Sequence, residues 1–259
     1  MNPALKKLFA VEMRRLWTIP MIVLSIVMLP LGLPFSPIIA TLINRANHGA
    51  VPVLNLSESV NAIFGALSLY GAMFFSAGIV GGEVKNGWMR SVLSRPITRQ
   101  WFLAVKMAAV VLSVFCTIIL VAIILLGVSA AMMHAMPAVH PLQLAQILLG
   151  SLGQIVTYVA IATVFSCFFP GNFNLIALFL WEILGGAATI LVQKFLWNNK
   201  WMFILDDLLF PHRLTGFADS VLQNNFASSD LLWGTASLAL FLAGCFWFVN
   251  VIQVDKTAD

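Results

Sequence analysis

The chain has 259 residues, 61% hydrophobic and only 9% charged, with a formal net charge of +4 and a mean hydropathy of +0.96. So few charges exclude a soluble domain of this length and point to an all-α, polytopic membrane protein. The positive balance says little about nucleic acid, because membrane topology by itself gathers Lys and Arg on one side of the bilayer.

Residues 3–17, PALKKLFAVEMRRLW, place Leu5, Leu8, Phe9, Met13 and Leu16 at helical spacing on one side, with Glu12 intruding on that apolar face. Lys6, Lys7, Arg14 and Arg15 fall mostly elsewhere. The pattern predicts an interfacial helix along the inner leaflet with Trp17 at headgroup depth, as against a plain basic tail. It does not read as a cleavable signal, since the first 17 residues are amphipathic and a long span follows.

Six membrane spans are expected, at 18–43, 59–80, 104–133, 142–167, 173–195 and 231–252, each reaching the ~20 apolar residues that cross a bilayer. The first contains Pro20, Pro30, Pro34 and Pro37 and is expected to be kinked or broken. In the second, Ala62, Gly65, Ser68, Ala72 and Ser76 recur at spacings that let helix backbones approach closely. The connection 81–106 holds Lys85, Arg90, Arg95, Arg99 and Lys106, whereas 44–58 holds only Arg45 and 134–141 no Lys or Arg. Both termini and the 81–103 segment are therefore expected inside.

In the fourth span Gln143, Gln146, Gly150, Gln154 and Thr157 share a face, a pattern that interhelical hydrogen bonding accounts for. In the fifth, Asn174, Glu182, Gly185, Gly186, Thr189 and Gln193 share roughly a third of the circumference. Glu182 lies near mid-span, where an ionised carboxylate costs at least ~2.5 kcal/mol. Two readings stay open: a residue on a transport path, or a protonated Glu bonded to a neighbouring helix. Segment 196–230 is too aromatic for a solvated linker and too interrupted to span, so short re-entrant or surface helices are expected on the outer face. No internal repeat or second domain is visible, so 1–259 reads as one transmembrane domain.

Catalytic and metal signatures do not emerge. The chain has no GxxxxGK[ST] loop with which to hydrolyse ATP. It has no GxSxG elbow, and His48, His134, His140 and His212 lack HExxH spacing. Cys116, Cys167 and Cys245 lie in or beside apolar spans and read as small core side chains. Asn55-Leu56-Ser57 is a glycosylation sequon, which arises often by chance.

The segment 81–106, GGEVKNGWMRSVLSRPITRQWFLAVK, predicts a short helix through Trp88, Met89, Val92 and Leu93, a break at Pro96 and a restart near Thr98. Apolar knobs with basic rims suit either a groove on a cytosolic partner or anionic headgroups. Its residues Glu83, Gly87, Leu93, Pro96-Ile97-Thr98-Arg99 and Lys106 resemble the signature of the permease subunits of ABC-2 type transporters. Glu12-Met13-Arg14-Arg15 is similar to that family's opening helix. The topological likeness spans the chain, while the motif covers about 25 residues of it.

The resemblance implies a multi-pass subunit of a bacterial cell (inner or plasma) membrane with no ATPase site of its own. ATP and Mg would be bound by a cytosolic ABC ATPase, and a second permease copy or a sister permease would complete the path among membrane lipids. Glu83, Gly87, Trp88, Arg90, Leu93, Arg95, Pro96 and Arg99 would form the ATPase-coupling segment; Glu12, Arg14 and Arg15 would belong to the interfacial helix. Asn174, Glu182, Thr189 and Gln193 would face the translocation path. The implied activity is export of a hydrophobic or amphipathic substrate, such as a peptide, lipid or drug. The competing readings are an ion-gradient-driven secondary transporter or channel, a membrane-embedded enzyme, and a non-transporting assembly or sensory subunit of the same fold.

Overall fold

A computed structural model describes residues 3–17, 56–76, 79–80, 82, 97–133, 141–169, 173–195, 200–209 and 228–251. Among the described residues the chain is all-helical, as the composition requires, with seven helices and no strand. We number them α1 (Pro3–Leu16), α2 (Leu56–Ser76), α3 (Arg99–Met133), α4 (Pro141–Phe168), α5 (Phe173–Phe195), α6 (Lys200–Leu209) and α7 (Ser228–Val251). Four of them, α3, α4, α5 and α7, are long and apolar enough to cross a membrane. The expected first span, 18–43, lies outside the described residues, and the expected second, 59–80, falls only in part within them, its helix α2 running Leu56–Ser76.

Local chemistry sets several of the helix ends. Helix α3 opens where Thr98 receives the backbone N–H of Trp101 on its hydroxyl at 3.4 Å and that of Phe102 on its carbonyl at 3.0 Å. Pro141 opens α4, a first-turn position where a missing N–H leaves no bond unmade. At the other end of α4, Phe169 N–H closes the last turn onto Phe165 O at 2.8 Å.

Helix α4 is the shaft of the bundle, packed by α2, α3, α5 and α7. Of its apolar window 67% is buried, against 17% in α5 and 22% in α7. Its residues Tyr158 to Thr163 are buried without interruption, so it meets neighbours on every side there. Helices α5 and α7 instead turn Ile176, Ile183, Leu184, Ile190, Leu232 and Trp247 outward, the surface that an apolar solvent would cover.

Cross-contacts order the two ends of the bundle. Val80 N–H donates to Ser166 Oγ at 3.0 Å, joining the chain beyond α2 to the end of α4. Arg99 donates to Asn250 O at 3.4 Å, joining the start of α3 to the end of α7. Helix α1 packs on the opening half of α3 at this same end. Helix α6 lies near the opposite end, against the later part of α5 and the earlier part of α7, where Ser237 donates to Leu208 O at 2.9 Å.

Among the small residues of α2, Ser68, Ala72 and Ser76 are buried, and Ser76 donates to Ala72 O. Gly65, which the spacing also selects, has open space where a Cβ would stand. The tight approach is one residue off the stripe, at Gly71, whose added Cβ would meet Val114 Cγ1 of α3 at 3.0 Å.

Candidate functional site

Two groups of polar contacts lie within the bundle. The first joins α1 to α3. Glu12, the residue that interrupts the apolar face of α1, is buried and turned towards Lys106, with Oε1 and Nζ 3.7 Å apart. Lys106 is itself buried, with its ammonium 5.4 Å from the centroid of the Phe102 ring one turn earlier. Ser113 adds a weaker contact from α3, its hydroxyl 3.8 Å from Met13 Sδ. Leu5 and Leu8 are buried in the same seam, and Arg14 and Arg15 stand exposed on the far side.

The second group is distributed along α5. Asn174, in its first turn, is fully buried and donates from Nδ2 to Ala162 O of α4 at 3.2 Å. Its Oδ1 has no hydrogen-bond partner among the described residues. Eight residues on, about 12 Å along the axis, both carboxylate oxygens of Glu182 lie 3.2 Å from the Tyr158 hydroxyl, which donates across the seam. Aromatic rings flank that level: Trp181 meets Phe165 edge-to-face at 5.5 Å, and Phe179 meets Phe74 of α2 at 6.3 Å. Further along, the Thr189 hydroxyl lies 3.0 Å from Gly185 O and 3.1 Å from Asp206 Oδ1 of α6, so its single proton is shared between them.

The residues expected to share one arc of α5 thus take up partners on two elements. Asn174 and Glu182 face α4, and Thr189 faces α6. The Gln193 side chain lies outside the described residues, as do Glu83, Gly87, Trp88, Arg90, Leu93, Arg95 and Pro96 of the expected coupling segment. Of that segment, Ile97 is buried, Thr98 caps α3 and Arg99 reaches α7. In α4, Gln154 and Thr157 are buried, and Thr157 returns its hydroxyl to Gly153 O of its own helix at 2.9 Å.

Sequence reasoning did not single out Tyr158 or Asp206; Cys245, read as a core side chain, is buried, and its thiol donates to Ala160 O of α4 at 2.9 Å. Tyr158 lies one position beyond the Gln154–Thr157 stripe, and that adjacency was the available signal. Among the described residues no three His, Cys, Asp or Glu side chains come together as a metal site would need. What the arrangement provides is a carboxylate and a phenol joined within an apolar bundle, and a buried ion pair near its basic end.

No protein-family model matches the chain, and no curated protein matches it.

Proposed function

We propose that this chain is the permease subunit of an ATP-driven ABC-2 type transporter. It would export a hydrophobic or amphipathic substrate, such as a peptide, lipid or drug, from a multi-pass position in a cell membrane with both termini cytoplasmic. A separate cytosolic ABC ATPase binds ATP and Mg, and a second permease copy or a sister permease completes the path. The observation that carries this reading is the run Glu83, Gly87, Leu93, Pro96-Ile97-Thr98-Arg99 and Lys106, which follows the apolar helix α2 and enters α3, the longest helix among the described residues. The absence of a phosphate loop from the sequence agrees with a division of labour between subunits.

The contacts at the basic end support a route for force. The coupling segment runs directly into the Thr98 cap, so a push on it moves the first turn of α3. Lys106 lies two turns further along, paired with Glu12, so α1 moves with α3. Asn174, Glu182, Thr189 and Gln193 belong to the helix assigned to the path, and the two end states must differ in their affinity for cargo or nucleotide for any transport to be driven.

The test is a tagged pull-down of the full chain from mild detergent, followed by an ATPase assay on what co-purifies. A phosphate-loop ATPase that is lost on Arg95→Glu or Leu93→Asp is the expected result. An intact fold with no ATPase partner would overturn the reading and favour an ion-gradient-driven secondary transporter or channel. That second reading has its own observation, the Glu182–Tyr158 pair in mid-span.

A further inference from the structure

Helix α1 is divided sharply around its circumference. Leu5, Leu8 and Glu12 are buried, and Phe9 and Leu16 pack against the same core. Lys6, Lys7, Val11, Arg14, Arg15 and Trp17 are exposed. At about 100° per residue these six positions fall on one half of the helix. The only acid of α1 is Glu12, and it is turned inward to Lys106. The outward half therefore carries four cationic side chains and no anionic one.

The depth of this face follows from the length of α3. Its 35 residues make a rod of about 52 Å, against a hydrocarbon core of about 30 Å. Several turns of α3 must stand clear of the core, and the charged Arg99 and Lys106 mark the end where they do so. Helix α1 crosses α3 between Lys106 and Ser113, where the charged opening gives way to an unbroken apolar run. With that end of α3 clear of the core, the outward face of α1 would stand near the level of lipid phosphates and Trp17 where amphipathic rings gather.

We infer that the outward face of α1 binds anionic lipid headgroups, and that the Glu12–Lys106 pair makes this binding felt by α3. A free amphipathic helix buries its apolar stripe in the acyl boundary. Here that stripe is buried in protein, which leaves attraction between cations and phosphates as the outward interaction. An acidic protein surface is the rival occupant. Exposed Val11 and Trp17 among the cations, at this depth, favour lipid. The inference rests on α1 and α3 alone and stands apart from the permease reading.

The full-length chain is placed in nanodiscs of phosphatidylcholine, with or without phosphatidylglycerol, and two quantities are read: the thermal midpoint, and the lipids retained in native mass spectrometry. Phosphatidylglycerol is expected to raise the midpoint and to be retained several-fold over phosphatidylcholine. The combined Lys6→Gln, Lys7→Gln, Arg14→Gln, Arg15→Gln variant is expected to lose both effects while keeping the wild-type midpoint in phosphatidylcholine. Glu12→Gln is expected to keep the retention and lose most of the midpoint shift. Equal retention by wild type and the fourfold variant overturns the inference. So does loss of an acidic protein partner with lipid retention unchanged. Should the fourfold variant fail to fold, wild type at high salt decides: retention that survives screening overturns the inference.

Discussion

Glu12 of α1 and Lys106 of α3 stand 3.7 Å apart, both withdrawn from solvent, although 94 residues of sequence separate them. Removing one member of a buried pair strips the other of a charged partner, a loss of up to about 3–5 kcal/mol. Lys106→Ala is expected to lower stability by that order, and Glu12→Ala by a similar amount. The double variant is expected to lose clearly less than the sum, because the surviving charge is gone too. Denaturant titration in detergent of the four species in the cycle checks this, and strict additivity would show that the pair is not coupled.

The Tyr158 hydroxyl is within 3.2 Å of both Glu182 oxygens. Hydrogen bonds between membrane helices are worth on average ~0.6 and at most ~1.7 kcal/mol. Tyr158→Phe is accordingly expected to lower stability by an amount in that range. Glu182→Gln keeps an acceptor for the Tyr158 proton and is expected to be milder. If Glu182 lies on the path, Glu182→Gln is also expected to reduce transport in a vesicle uptake assay at unchanged fold. Unaltered transport would leave Glu182 a structural contact.

At Gly71 a Cβ would already press on Val114 at 3.0 Å. Gly71→Leu is expected to destabilise by about 1–3 kcal/mol through overpacking. Val114→Ala on the same background opens room for the new side chain and is expected to recover part of the loss. Gly65→Leu, with open space at its Cβ, is the control and is expected to be tolerated. Thermal scans of the purified variants distinguish the two positions.

Among the described residues, the polar hooks on helix α6 include Thr189 to Asp206 and Ser237 to Leu208 O. Thr189→Val together with Ser237→Ala removes both donors. Hydrogen exchange over Lys200–Leu209 is expected to speed up in that variant, while exchange in α4 stays at the wild-type rate. Uniform acceleration across the chain would instead show that the hooks support the entire bundle.

The parts of this architecture legible in the sequence are those written in local pattern. Apolar runs gave the long helices, the Pro96–Thr98 break placed the opening of α3 close to where the Thr98 cap lies, and helical spacing brought out Asn174, Glu182 and Thr189 as polar interruptions. Spacing also flagged Glu12 as out of place on an apolar face. It did not supply the partners, because Lys106, Tyr158 and Asp206 lie on other helices and periodicity within one helix carries no information about its neighbour. Gly71 escaped for a related reason. Helix α2 packs against both α3 and α4, so one stripe of small residues describes only one of its two seams.

The central place of α4 also has a consequence for how the protein is made. Its inward positions include Ser151, Gln154, Thr157, Thr163 and Ser166, all buried, so it is less apolar than α3. Synthesis proceeds from the N-terminus, so α4 leaves the ribosome when α2 and α3 already exist and α5 and α7 do not. For that interval its polar edge is sheltered on one flank only. Both α3 and α4 are apolar enough to cross a membrane, but the buried polar positions of α4 are fully enclosed only once α5 and α7 have joined it. The order of synthesis therefore leaves the enclosure of α4 to the last helices made.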